Sequence, residues 1–332
     1  MSEILEKIGQ LFVMGFKGER PPKHFLNFID EEQIGGFILF EENCRTQLTA
    51  RQNIEVLKSH CRTGLPFVAV DQEGGRVSRL RGAPAEFRSP SEYAKDDAVE
   101  HFIEDYSRSM VLLDSLGFNL NLAPVADIRL DPNNLCLSGR TFGDNPDQVA
   151  RFVRAAISVT NRQGLLSCLK HFPGLGAARI DPHKATATAD YDEIIWRQRE
   201  KIPFAAGIEE GADIVMTTHL KLPEIDNTLV ITSSRIIPEL LRKELRFDGP
   251  VITDDLTMKG AAEAGTVGER AVKAFKAGHD LLLFGPDHEE AIRAYDYFVD
   301  AVRRGEISAD SLRSSLDRVA GLKFKLEQSI VR

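Results

Sequence analysis

Five short stretches of this sequence hold ionisable side chains of the types that do proton transfer or bond-breaking chemistry: Asp71, Lys170-His171, Asp181-Pro182-His183, His219 and Asp254-Asp255. The last pair follows the apolar run Val251-Ile252-Thr253. Successive side chains of a strand point to opposite faces, so one of the two aspartates can face a binding site as a nucleophile or base while the other turns away. Alternatively, both cap the following helix. Histidine titrates at about pH 6.5, so His183 can exchange protons near neutrality, and Asp181, two positions earlier, can orient its ring. The same two residues also suit a plain surface pair. Gly74-Gly75 is either a tight turn or a place where backbone approaches a ligand closely. Arg79 and Arg140 are either surface charges or planar forks for hydroxyl and carbonyl groups.

These residues need a frame, and the apolar pattern supplies one. Short β-branched and apolar runs recur, each followed by a longer segment of helical spacing, which is the mark of parallel βαβ construction. Strands are predicted near 11–15, 36–40, 67–71, 119–124, 167–172, 213–219, 251–255 and 280–284, with helices over 22–32, 48–61, 99–116, 146–163, 193–210, 234–245, 267–277 and 288–303. A last helix is expected over 309–326. Thr232-Ser233-Ser234 supplies capping hydroxyls, and Gly164 and Gly211 suit helix C-termini. No Pro/Ser-rich linker interrupts the alternation, and neither a Gly-x-Gly-x-x-Gly turn nor a P-loop follows any strand. The expected fold is therefore one domain over 1–332, a (β/α)8 TIM-type barrel with an extra C-terminal helix. In such a barrel the site is built from strand C-termini and the loops after them. Asp71, Lys170-His171, His219 and Asp254-Asp255 all stand at such ends.

Composition narrows the partners. A net charge of -8 over 332 residues disfavours nucleic acid and anionic membranes, which demand clustered Lys and Arg. The expected partner is a small neutral ligand, and a monomer is the default. The 4 cysteines lie far apart, with no Cys-x-x-Cys spacing and no His tract, so reduced thiols are expected and no structural zinc. The acidic first residues do not read as a secretory segment, and no apolar run approaches the roughly 20 residues of a membrane span. A cytoplasmic protein is expected. The scattered phenylalanines and the lone Trp196 read as core packing.

Taken in order, Ile34-Gly-Gly-Phe-Ile-Leu-Phe40, Val70-Asp-Gln-Glu-Gly-Gly-Arg-Val77, Leu122-Ala-Pro-Val-Ala-Asp127, Ser138-Gly-Arg-Thr-Phe142, Lys170-His-Phe-Pro-Gly174, Met216-Thr-Thr-His219 and Thr253-Asp-Asp-Leu-Thr-Met258 form an ordered set spanning nearly the whole chain. This set resembles glycoside hydrolase family 3, in particular its single-domain bacterial β-N-acetylglucosaminidases that act in cell-wall recycling. The resemblance implies a retaining exo-enzyme with no metal or organic cofactor. It removes terminal β-linked N-acetylglucosamine from an oligosaccharide or muropeptide. By the same resemblance Asp254 is the nucleophile, Asp255 supports it, His183 with Asp181 is the acid/base dyad, and Asp71, Arg79, Arg140, Lys170 and His171 hold the sugar. His219 lies near the site without an assigned role.

Two positions depart from the family pattern, Leu175 in place of a histidine and Pro182 in the middle of the Asp-x-His motif. Proline fixes its own φ and biases Asp181 toward extended geometry, so the dyad loop is expected to be stiffer. The alternatives are a β-glucosidase or β-xylosidase of the same family, or a sugar-binding barrel without turnover.

Overall fold

In the computed structural model, which describes residues 2–82, 84–178 and 186–330, eight parallel strands form the barrel. They are β1 (Phe12–Met14), β2 (Gly36–Leu39), β3 (Phe67–Val70), β4 (Leu120–Asn121), β5 (Leu166–Phe172), β6 (Ile214–Thr217), β7 (Val251–Ile252) and β8 (Leu282–Phe284). Strand order follows chain order. β8 pairs with β1 through Phe12↔Leu282, and the bridge Ile252↔Leu281 joins β7 to β8, which closes the ring. All eight strands are buried along their whole length, because side chains on one face fill the barrel and those on the other meet the helices. That is why they read as continuous apolar runs rather than alternating ones.

The outer layer follows the expected order, from α1 (Lys23–Glu32) after β1 to α8 (His288–Arg303) after β8. Ser233 accepts at Oγ from the N–H groups of Arg235 and Ile236 at 3.1 Å, and Gly164 and Gly211 take left-handed φ values of 80° and 91° at helix ends. Two helices differ from expectation. The segment 193–210 is split into Glu193–Gln198 and Lys201–Glu209. The proline ring at 203 collides with the carbonyl four residues earlier in a continuous helix, and the break falls at that residue, Arg199 (φ -135°, ψ -77°). Ile236–Glu244 winds as a π-helix. Its buried residues, Ile236, Ile237, Leu240 and Leu241, stay on one face for either winding, so their spacing cannot tell the two apart.

The last helix, Ala309–Ile330, plugs the N-terminal end of the barrel. Lys323 donates to Gly35 O (3.0 Å) before β2, Lys325 pairs with Asp213 (2.5 Å) before β6, and Ser315 and Arg318 reach Asp280 (2.7 and 3.1 Å) before β8. The polar cavity described below lies at the opposite end.

His279, at the start of the eighth unit, is fully buried, with Nδ1 2.8 Å from Ala274 O and Nε2 2.8 Å from Thr217 Oγ1. A carbonyl only accepts, so Nδ1 carries the proton and Nε2 accepts from the threonine hydroxyl. Burial, aided by His219 and Arg242 and partly offset by the Ala274 contact, lowers its pKa from 6.5 to about 4. Between those values the unfolded chain binds a proton that the folded chain refuses, so stability falls as pH falls through this window. The expected loss from pH 7 to pH 5 is about 2 kcal/mol from this residue. Urea unfolding of the wild type and of His279→Gln at both pH values checks it. An equal pH slope in the two proteins contradicts the assignment.

Candidate active site

Four strand ends and the loop after β4 build the site. After β3 the chain enters a hairpin, Gln72–Gly74 against Val77–Ser78. Gln72 is the buried pin of this turn. Its amide donates to Ala85 O (2.9 Å) and accepts from Arg79 N (2.9 Å), while Asn121 from β4 grips its backbone on both sides at 3.0 Å. With Gln72 turned inward, its neighbours Asp71 and Glu73 project the other way, into the mouth. The turn demands glycine. At Gly74 (φ 96°) a Cβ atom would stand 2.4 Å from the Phe87 ring and 2.7 Å from Arg88 O.

Asp71 accepts from Lys170 Nζ at 2.8 Å and from Arg79 at 3.1 Å. Glu73 accepts from the same Lys170 Nζ at 2.6 Å and receives both prongs of Arg140, at 2.7 and 2.8 Å. Glu73, Lys170 and Arg140 are all buried. Burial alone would push the Glu73 carboxyl up, but Arg140 and Lys170 hold it far below the usual carboxylate range. The same pairing keeps Lys170 charged, since Asp71 and Glu73 outweigh the burial that disfavours its ammonium.

At the end of β5 the Lys170–His171 peptide bond is cis, and both side chains line the mouth. His171 Nδ1 stands 2.6 Å from Asp127 Oδ2, so Nδ1 carries a proton, and Nε2 lies 3.4 Å from Arg140. Asp127 also accepts from Leu175 N at 2.6 Å, which ties the start of the following loop to the histidine it orients. Trp196 and Tyr191 fasten the same turn by donating to Pro173 O (3.0 Å) and Gly174 O (2.8 Å). Trp196 is thus a core residue with a positioning hydrogen bond. Leu175 is itself buried against the cavity, and its backbone rather than its side chain makes the polar contacts.

Past the end of β7 the two aspartates both border the cavity, contrary to the alternation expected of a strand, and they divide by their hydrogen bonds. Asp255 accepts from Thr257 N (2.8 Å), Thr257 Oγ1 (2.7 Å) and Gly285 N (2.8 Å), which makes it a cap that joins the loops after β7 and β8. Burial, only partly offset by these donors, raises its pKa. Asp254 accepts from Asp255 N at 2.8 Å. Burial would raise its carboxyl too, but the imidazoles of His219 and His171, the Asp255 N–H and Lys170 hold it below the ordinary value. It is therefore an ionised carboxylate at neutral pH. His219 donates from Nε2 to Asp255 O (2.8 Å), and its buried Nδ1 has no hydrogen-bond partner among the described residues.

Asp71, Arg79, Arg140, Lys170, His171 and Asp254 thus line one cavity of about 380 Å³ at the C-terminal end of the strands. Ile38, Phe40, Leu122, Met216 and Leu283 form its apolar wall. His219 stands behind Asp255. Asp181 and His183, expected as the dyad, lie outside the described residues. Two residues join the site beyond those singled out from the sequence, Glu73 and Asp127. Their signal was present in the Asp71-x-Glu73 alternation and in the carboxylate closing Leu122-Ala-Pro-Val-Ala-Asp127. The arrangement sets an ionised carboxylate among a dense set of donors and acceptors suited to a polyhydroxylated ligand.

The family model of the glycosyl hydrolase family 3 N-terminal domain matches residues 3–322. Beta-hexosaminidase A of Pseudoalteromonas piscicida is 31% identical over 93% of this chain and 56% of its own length. Beta-hexosaminidase of Xanthomonas axonopodis pv. citri is 31% identical over 82% of this chain and 83% of its own. Among solved structures, a glycoside hydrolase family 3 beta-N-acetylglucosaminidase from Paenibacillus sp. str. FPU-7 superposes with a TM-score of 0.91 and 32% identity, over 97% of this chain and 62% of that one. The chain therefore spans little more than half the length of some relatives and most of the length of others.

Proposed function

Since this chain belongs to glycosyl hydrolase family 3, we propose that it is a retaining exo-β-N-acetylglucosaminidase releasing terminal β-linked N-acetylglucosamine. The observation that carries this reading is the ionised Asp254 carboxylate in a cavity whose other polar residues, Asp71, Arg79, Lys170 and His171, match hydroxyl recognition. The relatives named for hexosaminidase activity support the choice of sugar.

In the proposed reaction Asp254 attacks the anomeric carbon while the aglycone oxygen leaves with a proton from His183, whose ring Asp181 orients. The glycosidic bond breaks as the ester to Asp254 forms. His183, now neutral, takes a proton from water, and the hydroxide displaces Asp254 to release the sugar with its configuration retained. We place the natural substrate among peptidoglycan fragments and the protein in the cytoplasm as a monomer. In support of the compartment, none of the four cysteines is in a disulfide. No helix of the described residues is long and apolar enough to cross a membrane.

The test compares aryl β-N-acetylglucosaminide with the matching glucoside. A preference of at least about tenfold for the N-acetyl sugar is expected. With His183→Ala the loss should be small for an acidic phenol leaving group and about 10²- to 10⁴-fold for a poor one. Equal rates on the two sugars, or a His183→Ala loss independent of the leaving group, contradict the reading.

A further inference from the structure

The seam where the barrel closes carries a second cluster of ligating side chains, none of which lines the cavity. His24 stands in the first turn of α1, and His288 and Glu289 open α8; these helices follow the paired strands β1 and β8. His24 Nε2 is 2.8 Å from Glu289 Oε1, and His288 Nε2 is 3.7 Å from the same oxygen. One ligating atom from each of the three residues falls within 4.8 Å of the others. His288 is anchored, buried with its ring 5.4 Å from that of Phe25, whereas the side chains of His24 and Glu289 are 55% and 53% exposed.

We propose that His24, His288 and Glu289 form a binding site for a divalent transition-metal ion of the zinc class. Two imidazoles and one carboxylate are a donor set such ions prefer, whereas magnesium and calcium seek oxygen ligands. Zinc–nitrogen bonds of about 2.0–2.1 Å bring tetrahedral donors to about 3.3 Å apart, so rotation of the two exposed side chains around the anchored His288 completes the set. Coordination through His288 Nε2 puts its ring proton on Nδ1. The contact from Lys17 N–H to Nδ1, already long at 3.4 Å, is then given up. Solvent water fills the remaining coordination position.

The donors come from opposite ends of the chain and converge only once β8 has paired with β1. The ion therefore binds the folded barrel and not the unfolded chain, and binding raises the unfolding temperature by mass action. The site acts on the seam, and the hydrolytic residues are unaffected by it.

The experiment takes chelator-treated full-length protein and titrates Zn²⁺ against a chromophoric zinc indicator, following the thermal midpoint in parallel. Wild type is expected to bind one ion and to gain a higher midpoint. His24→Ala and Glu289→Gln should each bind at least about tenfold more weakly, with that gain reduced or lost. Without metal, both variants should match the wild type in midpoint and turnover, because the altered side chains are exposed. Mg²⁺ should shift none of the three proteins. Failure of wild type to bind, undiminished binding by both variants, or an equal shift with Mg²⁺ overturns the proposal.

Discussion

Asp254→Asn is expected to reduce kcat by about 10⁴-fold or more while leaving the unfolding midpoint almost unchanged. The asparagine oxygen still accepts the Asp255 N–H that Asp254 accepts at 2.8 Å, so the local backbone is kept. What is lost is the anion that, in the proposed reaction, bonds to the anomeric carbon, and among the described residues no other cavity carboxylate is free to replace it. Asp255 is committed to Thr257 and Gly285, while Asp71 and Glu73 are paired with Lys170. The contrast with its neighbour sharpens the test. Asp255→Asn keeps one oxygen for the Thr257 and Gly285 N–H groups and leaves its amide N–H to the Thr257 hydroxyl, but it removes the charge from these hydrogen bonds, so it should lower stability by about 1–3 kcal/mol before it affects chemistry. Turnover with an aryl glycoside and mapping of the peptide labelled by a fluorinated glycosyl reagent measure the roles directly. Covalent label at any residue other than Asp254 refutes its assignment as nucleophile.

The second large effect is structural. Glu73→Gln should destabilise the protein by about 3–5 kcal/mol, because it leaves the buried cations Arg140 and Lys170 short of an anion. The substitution keeps the shape and removes the charge that both prongs of Arg140 and the Lys170 ammonium now share. Activity should fall as well, since Glu73 helps to hold both Lys170 and Arg140 where they face the cavity. Denaturant unfolding at neutral pH of Glu73→Gln, Arg140→Met and the double variant checks this. The double variant should lose much less than the sum of the singles, since removing both partners leaves fewer unpaired charges. Strict additivity would mean that the pair is not coupled. The pH dependence has a definite sign. The folded pKa of Glu73 lies below its ordinary value, so its contribution is present above the unfolded pKa of about 4.3 and is lost as pH falls below it.

The order and kind of the barrel's own strands and helices were legible in the chain because both are set locally. A strand buried on two faces must be apolar throughout, and a helix lying on a barrel must repeat its apolar residues every three to four positions. Even the break at Arg199 has a local cause in Pro203, although the apolar spacing across 193–210 masked it. The winding of Ile236–Glu244 had no such signal, since its buried residues suit either helix.

The site divides along the same line. That Asp71, Lys170-His171, His219 and Asp254 stand at strand ends follows from the sequence alone, and ends of parallel strands share one end of a barrel. Which aspartate of the pair is committed as a cap, and which cations hold which carboxylates, did not follow. Glu73 meets Arg140 across 67 residues and Asp71 meets Lys170 across 99. Charges so far apart in the chain come together only through strand register and barrel closure. Local spacing thus determined where ionisable groups are presented, and the tertiary fold decided their pairing, because electrostatic partnership depends on distance in space and on exclusion from water.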